Sequence, residues 1–256
     1  MKKIIAVAIA SMGISGYVHA AGFVNGGFED GNTTGWDVYS SAYRAGVNNA
    51  GLTPAYVKAN DNSGMRSAVI GAGYVDPNLG AALGSTVYGG SYGYRVEDTT
   101  WGGYASLIEQ SVTNYTDPNI FFAWKAVMLG AHGTSDAATM KITLTDTTTN
   151  SVVISREYNA ASGGGGVDPR FSLSGRNYYT AAWQIEQLTI DSSLSGHDFT
   201  LSVLAADCQP TGHWGYVYLD GFGAAPPQPG VPEPASLALA GLALAGVAAS
   251  RRRKSA

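Results

Sequence analysis

Aromatic and charged side chains are most concentrated in residues 88–104, which read YGGSYGYRVEDTTWGGY. Flat aromatic faces pack against the apolar faces of sugar rings, and nearby polar groups fix the hydroxyls, so this composition suits a carbohydrate ligand. The stretch is typical of a surface loop. We therefore predict a ligand site here, formed by Tyr94, Arg95, Trp101 and Tyr104. The alternative is that these rings serve ordinary core and turn packing.

The histidines, serines and cysteine of the sequence form no recognisable catalytic pattern. His132, His197 and His213 stand far apart and lack the HExxH spacing of a metal site on a helix, and no serine lies in a GxSxG motif. Cys208 is the only cysteine, so we predict a small buried side chain rather than a disulfide, nucleophile or metal ligand. Paired carboxylates for glycoside hydrolysis stay an open alternative, since Asp and Glu pairs occur by chance in any chain, and His213 with Asp220 is a further candidate pair. We expect the protein not to be an enzyme.

The N-terminus has the pattern of a secretory signal. An almost entirely apolar stretch over residues 4–18 follows two lysines and ends in the small residues of a cleavage site. We predict a signal peptide over residues 1–20, removed by signal peptidase after Ala20 or Ala21. A retained anchor is the alternative, but the apolar stretch is short for a membrane-spanning helix.

The exported part of the chain is poor in charge and rich in glycine. The sequence has 34 glycines and 15 tyrosines, and charged residues make up only 13%. This composition is typical of extracellular β-structure with many turns. Residues 21–230 keep 9 basic residues against 18 acidic ones, a net charge of −9. Because no basic cluster remains there, we do not expect a nucleic-acid partner.

Alternating apolar and polar residues predict antiparallel strands. TMKITLTD alternates from Met140 to Leu144, and TTTN then turns the chain into SVVISREY as a hairpin. Further strands are predicted in ASLIEQSVTNY, IFFAWKAVML, HDFTLSVLAAD and WGYVYLDGFG, and a helix at most in residues 178–187, YYTAAWQIEQ. Many short strands without βαβ alternation predict an all-β antiparallel sandwich over residues 21–224, followed by a Pro-rich linker over 225–230.

Both ends of this domain carry a resemblance. The mature chain opens with GFVNGGFEDGNTTGW, residues 22–36, and its last strand reads WGYVYLDGFGA, residues 214–224. The Asn-Gly-x-Phe-Glu start, the Gly-Trp after it and the closing aromatic strand with its Asp resemble the galactose-binding-like modules. NDNSGMRSAVIGAG is similar to their next element. Many carbohydrate-binding modules belong to that superfamily, so the resemblance implies an antiparallel jelly-roll β-sandwich.

The same resemblance implies a structural calcium ion. In the related modules a calcium often lies where the first and last strands run side by side. Carried over, this places Glu29 and Asp220 as side-chain ligands, with a carbonyl near Gly27. Two buried carboxylates repel each other unless a cation neutralises them, and Ca²⁺ prefers oxygen ligands. The alternative is that both carboxylates cap turns and bind no metal.

Residues 231–256 combine Pro-Glu-Pro, a charge-free apolar segment over 235–250 that we predict to be helical, and a basic tail at 251–254. This order resembles the PEP-CTERM sorting signal of Gram-negative bacteria, which implies recognition and removal by an exosortase. The apolar segment is short for a lasting membrane span, so we expect a transient hold in the inner membrane with the basic tail on the cytoplasmic side. A plain C-terminal anchor, the alternative, would not need Pro-Glu-Pro. The sorting residues are Pro232, Glu233, Pro234, Arg251, Arg252 and Arg253.

The recognisable motifs serve export, sorting and a ligand-binding fold. They predict an exported surface or extracellular-matrix protein, non-catalytic and associated with a glycan or exopolysaccharide, as the PEP-CTERM resemblance also implies. Its expected partners are signal peptidase and an exosortase during processing, and polysaccharide or matrix components afterwards. The alternatives are a secreted hydrolase acting on polysaccharide and a purely structural protein of a biofilm matrix.

Overall fold

The computed structural model describes residues 22–130, 133–159 and 169–229. The predicted signal peptide, His132 and the predicted sorting tail lie outside these residues. The described chain is built almost entirely from β-strands, with one short α-helix and three 3-10 turns. The strands are β1 (Asp37–Tyr43), β2 (Ala68–Gly71), β3 (Tyr92–Val96), β4 (Tyr104–Tyr115), β5 (Asn119–Leu129), β6 (Thr139–Asp146), β7 (Ser151–Asn159), β8 (Phe171–Ser174), β9 (Asn177–Thr180), β10 (Gln184–Thr189), β11 (His197–Ala206) and β12 (Gly215–Gly223). The helix is α1 (Pro54–Ala59), and the 3-10 turns are Asn49–Gly51, Gly80–Ala82 and Ser192–Leu194.

The strands form two antiparallel sheets. The first has the order β1-β4-β11-β6-β7, and the second has the order β2-β3-β12-β5-β9-β8, with β10 also paired with β5. The predicted hairpin is present as β6 and β7, which pair from Asp146 with Ser151 to Thr139 with Asn159. The prediction of an all-β antiparallel sandwich is confirmed.

The main hydrophobic core lies between the two sheets. Met140, Ile142 and Leu144 of β6 are fully buried in it, as their alternation predicts. Burying an apolar side chain of this size contributes about 1.5–3 kcal/mol, so the core is the main stabilising term in a chain without a disulfide. All the buried clusters lie within residues 23–222, so this unit contains its own core.

Each sheet is also covered on its outer face. Residues 44–60, which include α1, cover part of the first sheet, and residues 72–91 cover the second. Under the second cover, Tyr216 and Tyr218 donate their hydroxyls to Oδ2 of the buried Asp76, at 2.8 and 2.7 Å. Strand β12 is therefore buried on both faces.

Residues 178–187 are not helical, and this expectation was wrong. Residues Asn177–Thr180 form β9 beside the end of β5, and residues Gln184–Thr189 form β10 beside its start. The edge of β5 would otherwise leave buried backbone N–H and C=O groups without partners. Pairing with this edge outweighs the weak local preference of a short segment for helix.

Strand β12 connects two opposite ends of the sandwich. Trp214, just before β12, stacks against the loop after β3, and Phe222, near its end, donates its backbone N–H to Gly26 O at 2.9 Å. The nine residues of β12 span about 30 Å in extended form. We call the first end the platform end and the second the tail end. The platform end comprises residues 97–103, 175–177 and 207–214, and the tail end comprises residues 22–31, 88–92 and 220–229.

Candidate functional site

Two tryptophans form an exposed aromatic surface at the platform end. Trp101 is 67% exposed, and its ring lies nearly parallel to that of Trp214, with an interplanar angle of 23° and centroids 6.5 Å apart. Trp214 is partly buried and donates its Nε1 hydrogen to Asn177 Oδ1 at 3.1 Å. We call Trp101 and Trp214 the tryptophan platform. One ring is anchored in the fold, and the other is open to a ligand.

The loop that carries Trp101 is held in one conformation. Oδ1 of Asp98 accepts hydrogen bonds from both the backbone N–H and the hydroxyl of Thr100, each at 2.7 Å. Gly103 has φ +69°, and a Cβ there would lie 2.7 Å from the side chain of Thr211. Only glycine fits this position without strain. A ring held in place before binding loses less entropy when a ligand arrives.

The turn between β8 and β9 brings a polar pair beside Trp214. An Nη atom of Arg176 lies 3.0 Å from His213 Nε2. A guanidinium group only donates, so Nε2 must accept and the ring proton resides on Nδ1, which faces Cys208 Sγ at 3.2 Å. The thiol in turn donates to Thr211 O at 3.0 Å. Burial raises the pKa of Cys208 to about 11, so it is an uncharged thiol, buried as the sequence predicts.

Below the platform lies a buried ion network centred on Arg66. Its Nε donates to Glu97, and one of its Nη atoms lies 3.0 Å from Asp98 Oδ1 and 3.5 Å from Asp207 Oδ2. The guanidinium group also lies over the ring of Tyr104, 4.3 Å from its centroid. Glu97 and Asp207 are fully buried, and burial raises the pKa of both carboxyls. The network braces the end of the sandwich; Glu97 and Asp207 in it are closed to a ligand, whereas the side chain of Asp98 is 22% exposed.

The structure divides the four residues predicted for the ligand site. Trp101 and Tyr104 lie at the platform end, although the ring of Tyr104 is partly covered by Arg66. Tyr94 is 2% exposed and stacks on Phe28 inside the main core, with centroids 5.1 Å apart. Its assignment to a ligand site is therefore corrected. The alternation of β3 turns this ring inward, which a loop interpretation of residues 88–104 overlooks.

Arg95 also serves the fold. It lies on β3, where its Nε donates to Glu97 O and one Nη atom donates to the hydroxyl of Tyr74, both at 2.9 Å. Its guanidinium group lies 5.8 Å from the centroid of the Tyr74 ring. These contacts hold the cover of the second sheet, so Arg95 is not available at the tryptophan platform.

Sequence reasoning did not find the partners of Trp101. Trp214, Arg176 and Asn177 lie 75 or more residues further along the chain and meet Trp101 only through the pairing of β12, β5 and β9. The available signal was the GHW turn directly before the last strand, since exposed turns at the end of a sandwich commonly carry binding residues.

The two carboxylates predicted at the tail end do meet. A Cβ placed on Gly27 would lie 3.5 Å from Asp220 Oδ1 and 3.6 Å from Cγ of Glu29. Asp220 Oδ2 accepts two backbone N–H groups from residues 88–89, at 2.8 and 2.9 Å. The carboxylate of Glu29 accepts from the backbone of residues 91–92, at 2.9 to 3.1 Å. Both side chains therefore cap the same loop.

The sequence argument assumed two buried carboxylates, but only Asp220 is buried and Glu29 is exposed. Burial raises the pKa of Asp220 to about 7, the backbone N–H groups work against this rise, and the negative charge of Glu29 adds to it. Across the described residues, no group of three or more His, Cys, Asp and Glu side chains is placed to hold a metal. A calcium ion here would take oxygens from Glu29 and Asp220 and would need further backbone carbonyls, such as those near Gly27.

The pairing of His213 with Asp220 was wrong. The two residues lie at opposite ends of β12, seven extended residues or about 23 Å apart. His197 instead pairs with Asp146, with Nδ1 and Oδ2 2.8 Å apart, at the end of the sandwich remote from His213. These two histidines therefore do not share a metal site, and His132 lies outside the described residues.

The C-terminal sequence matches a known sorting motif. Residues 230–254 match the family described as the PEP-CTERM protein-sorting motif. The chain carries a PEP-CTERM sorting motif. The motif indicates an exported protein that is sorted to the cell envelope or surface, and it implies processing by an exosortase. Within the part of the chain that the structure describes, no helix is long and apolar enough to cross a membrane.

No curated protein matches the sequence significantly. Among solved structures, TmCBM61 in complex with β-1,4-galactotriose is 12% identical, covers 80% of this chain and 97% of its own, and has a TM-score of 0.41. A non-crystalline cellulose-specific module, CBM28, is 15% identical with coverages of 80% and 96% and a TM-score of 0.39. A cyclase from Fischerella sp. TAU is 14% identical with coverages of 79% and 94% and a TM-score of 0.39. All three TM-scores lie below 0.5. The fold of this chain is therefore assigned from its own strand pairing and not from these structures.

Proposed function

We propose that this chain is an exported, non-catalytic glycan-binding protein that its PEP-CTERM tail delivers to the cell surface or the extracellular matrix. The observation that carries the proposal is the tryptophan platform. Trp101 presents an open indole face, Trp214 supports it from below, and Arg176 lies at the rim. A pyranose ring stacks on such a face through its C–H groups, and polar groups at the rim select among its hydroxyls.

The chemistry around the platform favours binding over catalysis. Glycoside hydrolysis needs two carboxyl groups that reach the sugar. Of the carboxylates that share Arg66 near the platform, Glu97 and Asp207 are fully buried and only Asp98 is partly exposed, so this cluster does not present two carboxyl groups to a sugar. Cys208 is an uncharged, buried thiol and therefore a poor nucleophile.

The position of the platform relative to the tail supports a surface role. Pro227 packs against Gly221, and Tyr88 donates its hydroxyl to Pro227 O at 3.5 Å, so the chain after β12 stays on the tail end. Five residues at most about 17 Å long then connect Pro227 with Pro232. While the tail is held in the membrane, the tail end therefore faces the membrane and the platform points away from it.

The processing route follows from the two termini. Signal peptidase releases the N-terminus, the inner membrane of a Gram-negative cell holds the tail transiently, and an exosortase cuts near Pro232-Glu233-Pro234. Mass spectrometry of the surface or matrix fraction should find a C-terminus before Leu237. Intact Arg251–Arg253 on the mature surface protein would contradict this route.

A structural calcium ion between Glu29 and Asp220 completes the proposal. In this role the ion fastens the N-terminal segment and β12 to the loop 88–92, which is the loop that also contacts Pro227. The ion would stabilise the tail end and would not contact the glycan.

Glycan binding is tested with an array that includes the exopolysaccharide of the producing cell. The full chain, purified in mild detergent, should bind a subset of glycans, and Trp101→Ala should abolish binding without changing the melting temperature. Tyr92→Ala is the matched control, because Tyr92 is an exposed aromatic residue at the tail end. No binding to any glycan would favour the purely structural matrix role, and turnover of a bound glycan would favour the hydrolase.

A further inference from the structure

One cation at the platform end has surroundings unlike those of most other described basic residues. Arg176 is exposed and contacts a ring nitrogen of His213 rather than a carboxylate. Arg44 and Lys125, in contrast, are buried and donate to backbone carbonyls. The basic residues that pair with carboxylates are Lys58, Arg66, Lys141 and Arg156.

Among the described residues, no salt bridge pairs Arg176 with a carboxylate. Nε2 of His213 accepts from the guanidinium group and brings no negative charge to Arg176. The contact uses one of five N–H donors and holds the side chain against His213, the residue before Trp214 in the chain. The backbone of Arg176 is also fixed, because its carbonyl accepts from Gly130 N at 2.9 Å. Arg176 thus holds further N–H donors at the platform end, next in the chain to Asn177, which accepts from Trp214 Nε1.

From this arrangement we infer that the platform selects a glycan containing a carboxylate-bearing sugar, such as a uronic acid. This inference rests on the proposed function. The sugar ring stacks on Trp101, and its carboxylate accepts two parallel hydrogen bonds from Arg176. A planar guanidinium group matches a planar carboxylate in this bidentate geometry, and such charge-assisted pairs are stronger than neutral hydrogen bonds.

The net charge of the protein sharpens the inference. Residues 21–230 carry a net charge of −9, so the overall field repels a polyanion rather than attracting it. At physiological ionic strength this repulsion is screened beyond about 8 Å, whereas a direct contact with Arg176 is not. Selection of an acidic glycan must therefore come from the local contact with Arg176. Removing the Arg176 side chain should remove this selection.

The test compares each acidic oligosaccharide with its own carboxyl-reduced form. The acidic ligands are hexamers of galacturonate and hexamers that contain glucuronate. Each is titrated calorimetrically against the full chain in mild detergent, and so is its carboxyl-reduced, neutral form. A hexamer that carries sulfate groups in place of carboxylates is titrated as well. The variants are Arg176→Gln, Arg176→Lys and Trp101→Ala. Lys58→Gln is the control, because it removes one positive charge from α1 on the first sheet.

We expect at least one acidic hexamer to bind about tenfold more tightly than its reduced form. Arg176→Gln should lower that affinity to the level of the reduced form and leave neutral binding within twofold, and Arg176→Lys should retain part of the preference. Trp101→Ala should weaken acidic and neutral ligands alike, and Lys58→Gln should change neither. Three outcomes would overturn the inference and leave the proposed function standing. They are binding of neutral but not acidic hexamers, equal binding of both, and a preference for the sulfated hexamer. No binding to any hexamer or array glycan would overturn both.

Discussion

The two ends of the sandwich use the same kinds of residues in opposite ways. At the tail end Phe222 is buried and packs on Trp36 with centroids 4.7 Å apart, and the carboxylate of Glu29 is exposed. At the platform end the aromatic ring of Trp101 is exposed and the carboxylate of Glu97 is buried. Residue type alone therefore does not distinguish a binding end from a packing end.

The difference has a simple physical origin. At the tail end the first residues of the domain and the end of β12 must seal the core, and apolar rings do this by burying their area. At the platform end the buried ion network braces the loops, so Trp101 is not needed for sealing. An aromatic ring that the fold does not require, but holds in place, is a candidate for ligand binding.

The largest expected effect separates the two tryptophans. Trp36→Ala should lower the free energy of unfolding by about 3–5 kcal/mol, because it empties a buried site among packed rings. Trp101→Ala should change it by less than about 0.5 kcal/mol, because the ring is largely in solvent, yet it should abolish glycan binding. Urea denaturation and glycan titration of both variants measure these effects. A large loss of stability in Trp101→Ala would make the platform a packing element.

The comparison of Trp36 with Trp101 also shows the reach of sequence reasoning. Strand periodicity predicted the sandwich and the inward face of β6, because each strand needs only its own alternation. The proximity of Glu29 and Asp220 was predicted by the family resemblance. The partners of Trp101 were not predicted, because they come from turns whose meeting depends on the pairing of β12, β5 and β9. Tyr94 was misplaced because a glycine-rich segment was interpreted as a loop although it contains a strand.

A second large effect should come from the ion network at the platform end. Arg66→Gln leaves Glu97 and Asp207 buried without their cation, so the free energy of unfolding should fall by about 3–5 kcal/mol at pH 7. The loss should be smaller at pH 5, because both carboxyls have raised pKa values and become neutral by binding protons. Urea denaturation at the two pH values measures this difference. Arg176→Gln serves as the control with no expected loss, and an equal loss of Arg66→Gln at both pH values would contradict the account.

A smaller, pH-dependent effect should mark the tail end when calcium is removed. The pKa of Asp220 is raised to about 7 in the folded protein, above the value near 4 of an unfolded chain. The native state therefore holds this proton more tightly, so the contribution of Asp220 to stability is fully present below pH 4 and falls by a few kcal/mol as the pH rises through 7. Asp220→Asn should remove this part of the pH dependence. Melting curves from pH 4 to 8 in EDTA measure it, and identical slopes in wild type and variant would contradict the raised pKa.

The smallest expected effect decides whether the carboxylates of the tail end hold calcium or only cap a loop. A ligand at a hundredfold its dissociation constant stabilises the native state by about 2.7 kcal/mol, so EDTA should lower the melting temperature of the calcium-loaded protein by several degrees. Glu29→Gln should abolish this sensitivity, because it removes the charge and keeps an oxygen that accepts from the backbone of residues 91–92. Trp101→Ala should retain the full sensitivity, because it lies at the opposite end, and distant sites contribute additively. If capping is the only role, EDTA changes the melting temperature of none of the three proteins.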